Sequence, residues 1–84
     1  MPDTIARSAR QLGIAVRRVR KKRTLTQSQL GQLMNARQAT VSKLEKGAGS
    51  ARLQTLLDAL TALDLELVVR QRTKSQLRDI EDLF

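Results

Sequence analysis

Apolar residues recur at helical spacing along most of the chain and alternate in only one stretch. Leu12, Ala15, Val16 and Val19 share one face behind Ser8 and Gln11, a pair spaced as in a capping box. This pattern predicts a first helix over residues 8–22, with Arg17, Arg18, Lys21 and Lys22 on its other faces. Thr24-Leu25 closes it without a glycine. Thr26 is a suitable N-cap for a second helix over 26–34, with Leu30, Leu33 and Met34 on its apolar face. Asn35 tolerates the left-handed conformation that often ends a helix. Residues 35–37 then separate this helix from a third stretch, Gln38 to Lys46, with Val41 and Leu44 inward and Gly47 and Gly49 after it. Two short helices joined this tightly form a helix-turn-helix, not a hairpin with its own core.

Ser50 is a candidate cap for a fourth helix, in which Leu53, Leu56, Leu57, Leu60 and Leu63 give the strongest periodic signal of the chain. The stretch covers under two heptads, so it reads as a core helix closing a small bundle and not as a leucine zipper. After Asp64 the period changes. Leu65, Leu67 and Val69 alternate with Glu66, Val68 and Arg70, which predicts a strand over 65–71. The chain offers no second strand, and a lone strand leaves both edges unpaired. The expected solution is pairing with the same strand of a second copy about a two-fold axis, through Leu65, Leu67, Val68 and Val69. Between Thr73 and Phe84 the apolar residues are Leu77, Ile80, Leu83 and Phe84, interleaved with Asp79, Glu81 and Asp82. This tail is either disordered or a docking segment. The expected fold is mostly α: a small four- to five-helix helix-turn-helix domain over residues 8–72, with one C-terminal β-strand pairing across a homodimer. A flexible N-terminus over 1–7 and the tail over 73–84 flank it.

Composition narrows the chemistry. At 84 residues and 40% apolar content the chain holds one domain with a core. It contains no Cys and no His, which removes disulfides, zinc fingers, thiol nucleophiles and imidazole acid–base chemistry. Neither a metal nor a cofactor is expected. Phe84 is the single aromatic residue, so stacking platforms for single-stranded nucleic acid are excluded. No apolar run approaches the ~18 residues of a membrane span, and the N-terminus lacks a signal peptide's apolar stretch. A cytoplasmic location is the expectation. Asp58, Asp64 and Glu66 have no nucleophile–base pair beside them, which makes an enzyme the weakest reading.

Charge adds a direction. The net +8 is the sum of +9 over residues 1–47, eleven basic against two acidic, and −1 over 48–84, five basic against six acidic. Such asymmetry points to one half facing a polyanion and another with a different role, the plain alternative being a solvated basic face. In a helix-turn-helix the second helix lies in the major groove with its first residues at base edges. Gln38 is the first of these, and its amide suits adenine N6 and N7; Ala39 is small enough to meet a thymine methyl. Ser42 and Lys43 follow one turn later, Lys43 at guanine O6/N7 or at a phosphate. The plain alternatives are helix packing for Ala39 and Ser42 and a solvated amide for Gln38. Gln27 opens the second helix, where free backbone N–H groups favour an anion, and Arg37, Thr40 and Lys46 complete the phosphate set. Arg17, Arg18, Lys21 and Lys22 either steer DNA at longer range or form a solvated face.

Residues 24–47, TLTQSQLGQLMNARQATVSKLEKG, resemble the helix-turn-helix of the Xre/Cro/phage-repressor family, of lambda-repressor-like fold, at Thr26-Gln27, Leu30, Gly31, Gln38, Val41-Ser42, Leu44, Glu45 and Gly47. Gly31 stands where that family more often has alanine, and both are small enough for close helix approach. Over nearly residues 8–84 the chain is similar to the HipB-type antitoxins, through RQATVSKLEKG, the leucine-rich helix, and LELVVRQR before a tail ending in an aromatic residue. The resemblance implies the dimeric DNA-binding member of a bacterial toxin–antitoxin pair. Such a protein binds operators of its own operon and also binds a HipA-like Ser/Thr kinase, for which Leu77, Ile80, Leu83 and Phe84 are the candidate contacts. It further implies an ion pair between Arg20 and Glu45, tying the first helix to the reading helix. Glu45 is the only acid between Asp3 and Asp58, which suits a paired role. A stand-alone Xre-family regulator without a toxin partner is the alternative, and a pure interaction module comes third.

Overall fold

The computed structural model describes residues 4–47 and 51–72. Among them lie four helices: α1 (Ala9–Lys22), α2 (Gln27–Leu33), α3 (Gln38–Glu45) and α4 (Leu53–Ala62). Ser8 Oγ accepts the Gln11 N–H at 3.1 Å and so caps α1. The reciprocal half of the expected box is displaced by one residue, because the Gln11 amide oxygen accepts from the N–H of Arg7 instead of Ser8. The complete capping box belongs to α2. There Thr26 Oγ1 accepts the Gln29 N–H at 3.0 Å while Gln29 Oε1 accepts the Thr26 N–H at 2.8 Å. Arg37 and Arg52 precede α3 and α4 without a side-chain cap bond. The expected cap of α4, Ser50, lies outside the described residues, and α4 starts at Leu53.

Three helices end in the same way, none of them on a glycine. Thr24, Asn35 and Asp64 adopt φ of 57°, 56° and 58°. Behind each, two backbone bonds fold the chain back on the last helical turn. Leu25 N–H donates to Arg20 C=O (3.1 Å) and Thr24 N–H to Lys21 C=O (2.9 Å); Ala36 donates to Gly31 (2.7 Å) and Leu65 to Leu60 (2.7 Å) in the same manner. Asn35 tolerates this conformation, whereas Thr24 is β-branched and takes it at a cost. Gly47, with φ of 74°, closes α3.

The core is built from Val16, Leu30, Met34, Val41, Leu44, Leu56, Ala59, Leu60 and Leu63, so every helix contributes. Leu33 and Leu53, expected on apolar faces, are instead 61% and 65% exposed. One ends α2 and the other begins α4, and at a helix end the apolar face runs past the edge of the core.

Residues 65–72 carry no regular secondary structure, and no strand occurs among the described residues. A strand is made by its ladder, and this segment has no ladder partner among the described residues. Leu65, expected in the dimer strand, packs against the core and gives its N–H to Leu60. Leu67, Val68 and Val69 stand exposed, Val69 by 91%. Among the described residues no helix is long and apolar enough to cross a membrane.

Candidate nucleic-acid interface

The α2–α3 turn is drawn in tightly. A Cβ on Gly31 would stand 2.7 Å from the Ala36 carbonyl oxygen, so here glycine and alanine are not interchangeable and alanine would require the turn to shift. α1 lies as closely against the far end of α3. A Cβ on Gly13 would meet the carbonyl oxygens of Leu44 and Glu45 at 2.5 and 2.6 Å, and one on Gly47 would meet Arg10 Cα at 2.5 Å. Two glycines therefore let the backbones of α1 and α3 touch, which fixes α3 at its C-terminal end.

An ion pair holds the same junction. Arg20 Nε donates to Glu45 Oε2 at 2.6 Å and Nη2 to Oε1 at 3.0 Å, while Nη1 donates to the Leu25 carbonyl at 2.7 Å. Both side chains are buried. The bidentate fork and the third bond to a carbonyl satisfy the guanidinium, as a buried pair requires. No buried side-chain polar atom among the described residues lacks a partner.

The connection runs on to the surface. Gln27 Nε2 donates to Glu45 Oε1 at 3.1 Å, and Gln38 Nε2 donates to Gln27 Oε1 at 2.6 Å. One unbroken line of side chains thus joins α1, α3 and α2 to the first residue of α3. The bridging role of the Gln27 side chain was not legible from its place at the start of α2. It depends on how the two helices cross, and the only trace in the sequence is that a glutamine opens both.

On α3, Gln38, Ala39 and Lys43 are exposed, Thr40 and Ser42 are half-buried, and Val41, Leu44 and Glu45 face the core. Arg37 and Lys46, exposed, flank the helix at its two ends, and Gln27 is half-buried. The structure therefore places Gln38, Ala39 and Lys43 outward on one helix, with Arg37 and Lys46 at its ends. Leu77, Ile80, Leu83 and Phe84 lie outside the described residues.

The electrostatics follow from the burial of Glu45. Over residues 4–47 it is the only acid, and it is turned inward. Ten cations are exposed there: Arg7, Arg10, Arg17, Arg18, Lys21, Lys22, Arg23, Arg37, Lys43 and Lys46. Every exposed charged side chain on this part of the molecule is positive. Among the described residues no group of three or more His, Cys, Asp or Glu side chains is placed to hold a metal ion.

A family model described as a helix-turn-helix domain matches residues 5–72. The chain belongs to this helix-turn-helix domain family. Its fold is similar to that of HipB. The match to a HipB variant in complex with an O2 20mer has a TM-score of 0.79 at 26% identity, over 86% of this chain and 100% of that one. A HipB–O4 20mer complex and a HipA–HipB–O2–O3 complex each match with a TM-score of 0.78 at 28% identity, over 84% of this chain and 100% of the HipB-like chain. No curated protein sequence matches. The likeness to HipB-type antitoxins read from the sequence is thus met by the fold.

Proposed function

We propose that the protein is a sequence-specific repressor of double-stranded DNA that acts as a homodimer, autoregulates its operon and serves as antitoxin to a HipA-like Ser/Thr kinase. The observation that carries DNA binding is the charge pattern of residues 4–47, where every exposed charged side chain is positive and α3 turns Gln38, Ala39 and Lys43 outward. A duplex presents about one negative charge per 1.7 Å, and such a surface gains by displacing its counterions. Gln38, Ala39, Ser42 and Lys43 read base edges, and Gln27, Arg37, Thr40 and Lys46 meet phosphates. HipB, a similar fold, is bound to 20mers in two of the matched complexes, which supports this assignment.

The dimer is supported by the exposed Leu67, Val68 and Val69, an apolar stretch with unpaired backbone. Two copies aligned by this segment would double the basic surface along one side of the duplex. The kinase partner is supported by the HipA–HipB–O2–O3 complex; Leu77, Ile80, Leu83 and Phe84 are its proposed contacts. Truncation after Arg72 is expected to weaken binding to such a kinase and leave DNA affinity in place.

The test is a substitution in the reading helix. Against duplexes selected by the protein from a random pool, Gln38→Ala should cost about 1–3 kcal/mol at one base pair and relax the preference there. Equal weakening on all duplexes would assign Gln38 to the backbone and remove the base-reading role.

A further inference from the structure

The line Arg20–Glu45–Gln27–Gln38 has a polarity. A carboxylate only accepts hydrogen bonds, whereas a primary amide has one face that accepts and one that donates. Glu45 Oε1 receives Arg20 Nη2 at 3.0 Å and therefore presents an acceptor to its other neighbour, Gln27, whose Nε2 lies 3.1 Å away. With its NH2 turned inward, Gln27 offers only Oε1 to Gln38, and Gln38 Nε2 donates to it at 2.6 Å. What Gln38 retains for an outside partner is then one N–H and its own Oε1.

That remaining pair is one donor and one acceptor. In the major groove adenine shows an N6–H donor beside the N7 acceptor, while guanine shows two acceptors, O6 and N7. With the opposite polarity, Gln38 Oε1 would be taken by Gln27 and both N–H groups would point outward, which suits guanine. We infer that Glu45 is a positioning residue that sets the donor–acceptor sense of the reading amide through Gln27, and so selects adenine over guanine at the base pair Gln38 meets. Arg20 keeps the carboxylate in place by holding both of its oxygens. The inference rests on the base-edge role of Gln38 proposed above.

The experiment compares affinities for a selected duplex and for its counterpart with A·T changed to G·C at the one base pair whose preference Gln38→Ala relaxes. The parent should prefer adenine by about tenfold or more, the discrimination of a good bidentate contact. Gln27→Lys supplies a donor to both Glu45 and Gln38, and the preference should invert to guanine. Gln27→Met imposes no sense, and the preference should collapse toward unity. The neutral double variant Arg20→Met/Glu45→Gln keeps Gln27 and Gln38 but gives Gln27 a neighbour of either sense; it too should lose the preference while still melting cooperatively. Should that variant not fold, the two Gln27 variants decide alone, because they leave the buried ion pair in place. Adenine preference persisting at the parent's value in both Gln27 variants would overturn the inference, as would their weakening all duplexes equally, which makes Gln27 a phosphate contact only. In either case the reading of Gln38 still stands. If Gln38→Ala relaxes no base pair, that reading falls and the inference with it.

Discussion

Residues 4–47 and residues 51–72 are unfinished in opposite senses. The first part has its polar interior closed, with Glu45 forked by Arg20 and bridged by Gln27, yet it exposes ten cations and no acid. The second part exposes charges of both signs, Arg52, Asp64, Glu66, Arg70 and Arg72, but also the apolar run Leu67, Val68 and Val69. Unbalanced charge calls for a polyanion, and unburied apolar surface with unpaired backbone calls for another chain. A single net charge of +8 hides this division, because it counts Arg20, which is buried against Glu45, together with the exposed cations.

The sharpest way to break the first part is to remove Glu45. Glu45→Ala leaves Arg20 buried without its carboxylate, a loss of about 3–5 kcal/mol for a broken buried pair. For a domain of this size the melting midpoint should fall by more than about 10 °C, as followed by circular dichroism. A shift of only a degree or two would show that the pair does not anchor α1 to α3. The second part should respond to Val68→Pro, which removes one ladder donor from each copy and so about 1–3 kcal/mol from the pair. Sedimentation across a concentration series should show dimer dissociation at higher protein concentration, with α1–α4 still helical. Parent and variant of identical mass at all concentrations would mean that residues 65–71 do not pair. The smallest effect should come from Thr24→Asn at the end of α1. Asparagine tolerates the left-handed backbone better than a β-branched residue, so stability should rise by up to about 1 kcal/mol, read from urea denaturation.

Each helix was legible, because apolar spacing records which face is covered, and Asn35 and Gly47 marked two of the ends. The Arg20–Glu45 pair was reached through family resemblance, and its isolation among basic residues supported it. Other features were out of reach for a common reason: they depend on distances between segments far apart in sequence. Gly13 looks like a weak point inside a helix until Leu44 and Glu45 are seen against it. Leu33 and Leu53 keep the right spacing but sit at helix ends. Thr24 gives no sign that it replaces a glycine. The alternation over 65–71 suits a strand, but no ladder partner for it lies among the described residues.

The division between the two parts is tested most directly by titrating the affinity for a selected duplex against salt. If Arg37 and Lys46 of both copies each neutralise a phosphate, the slope of log K on log salt should be about −3.6 or steeper, at −0.9 per phosphate. A slope near zero between low and moderate salt would contradict the assignment of residues 4–47 to DNA.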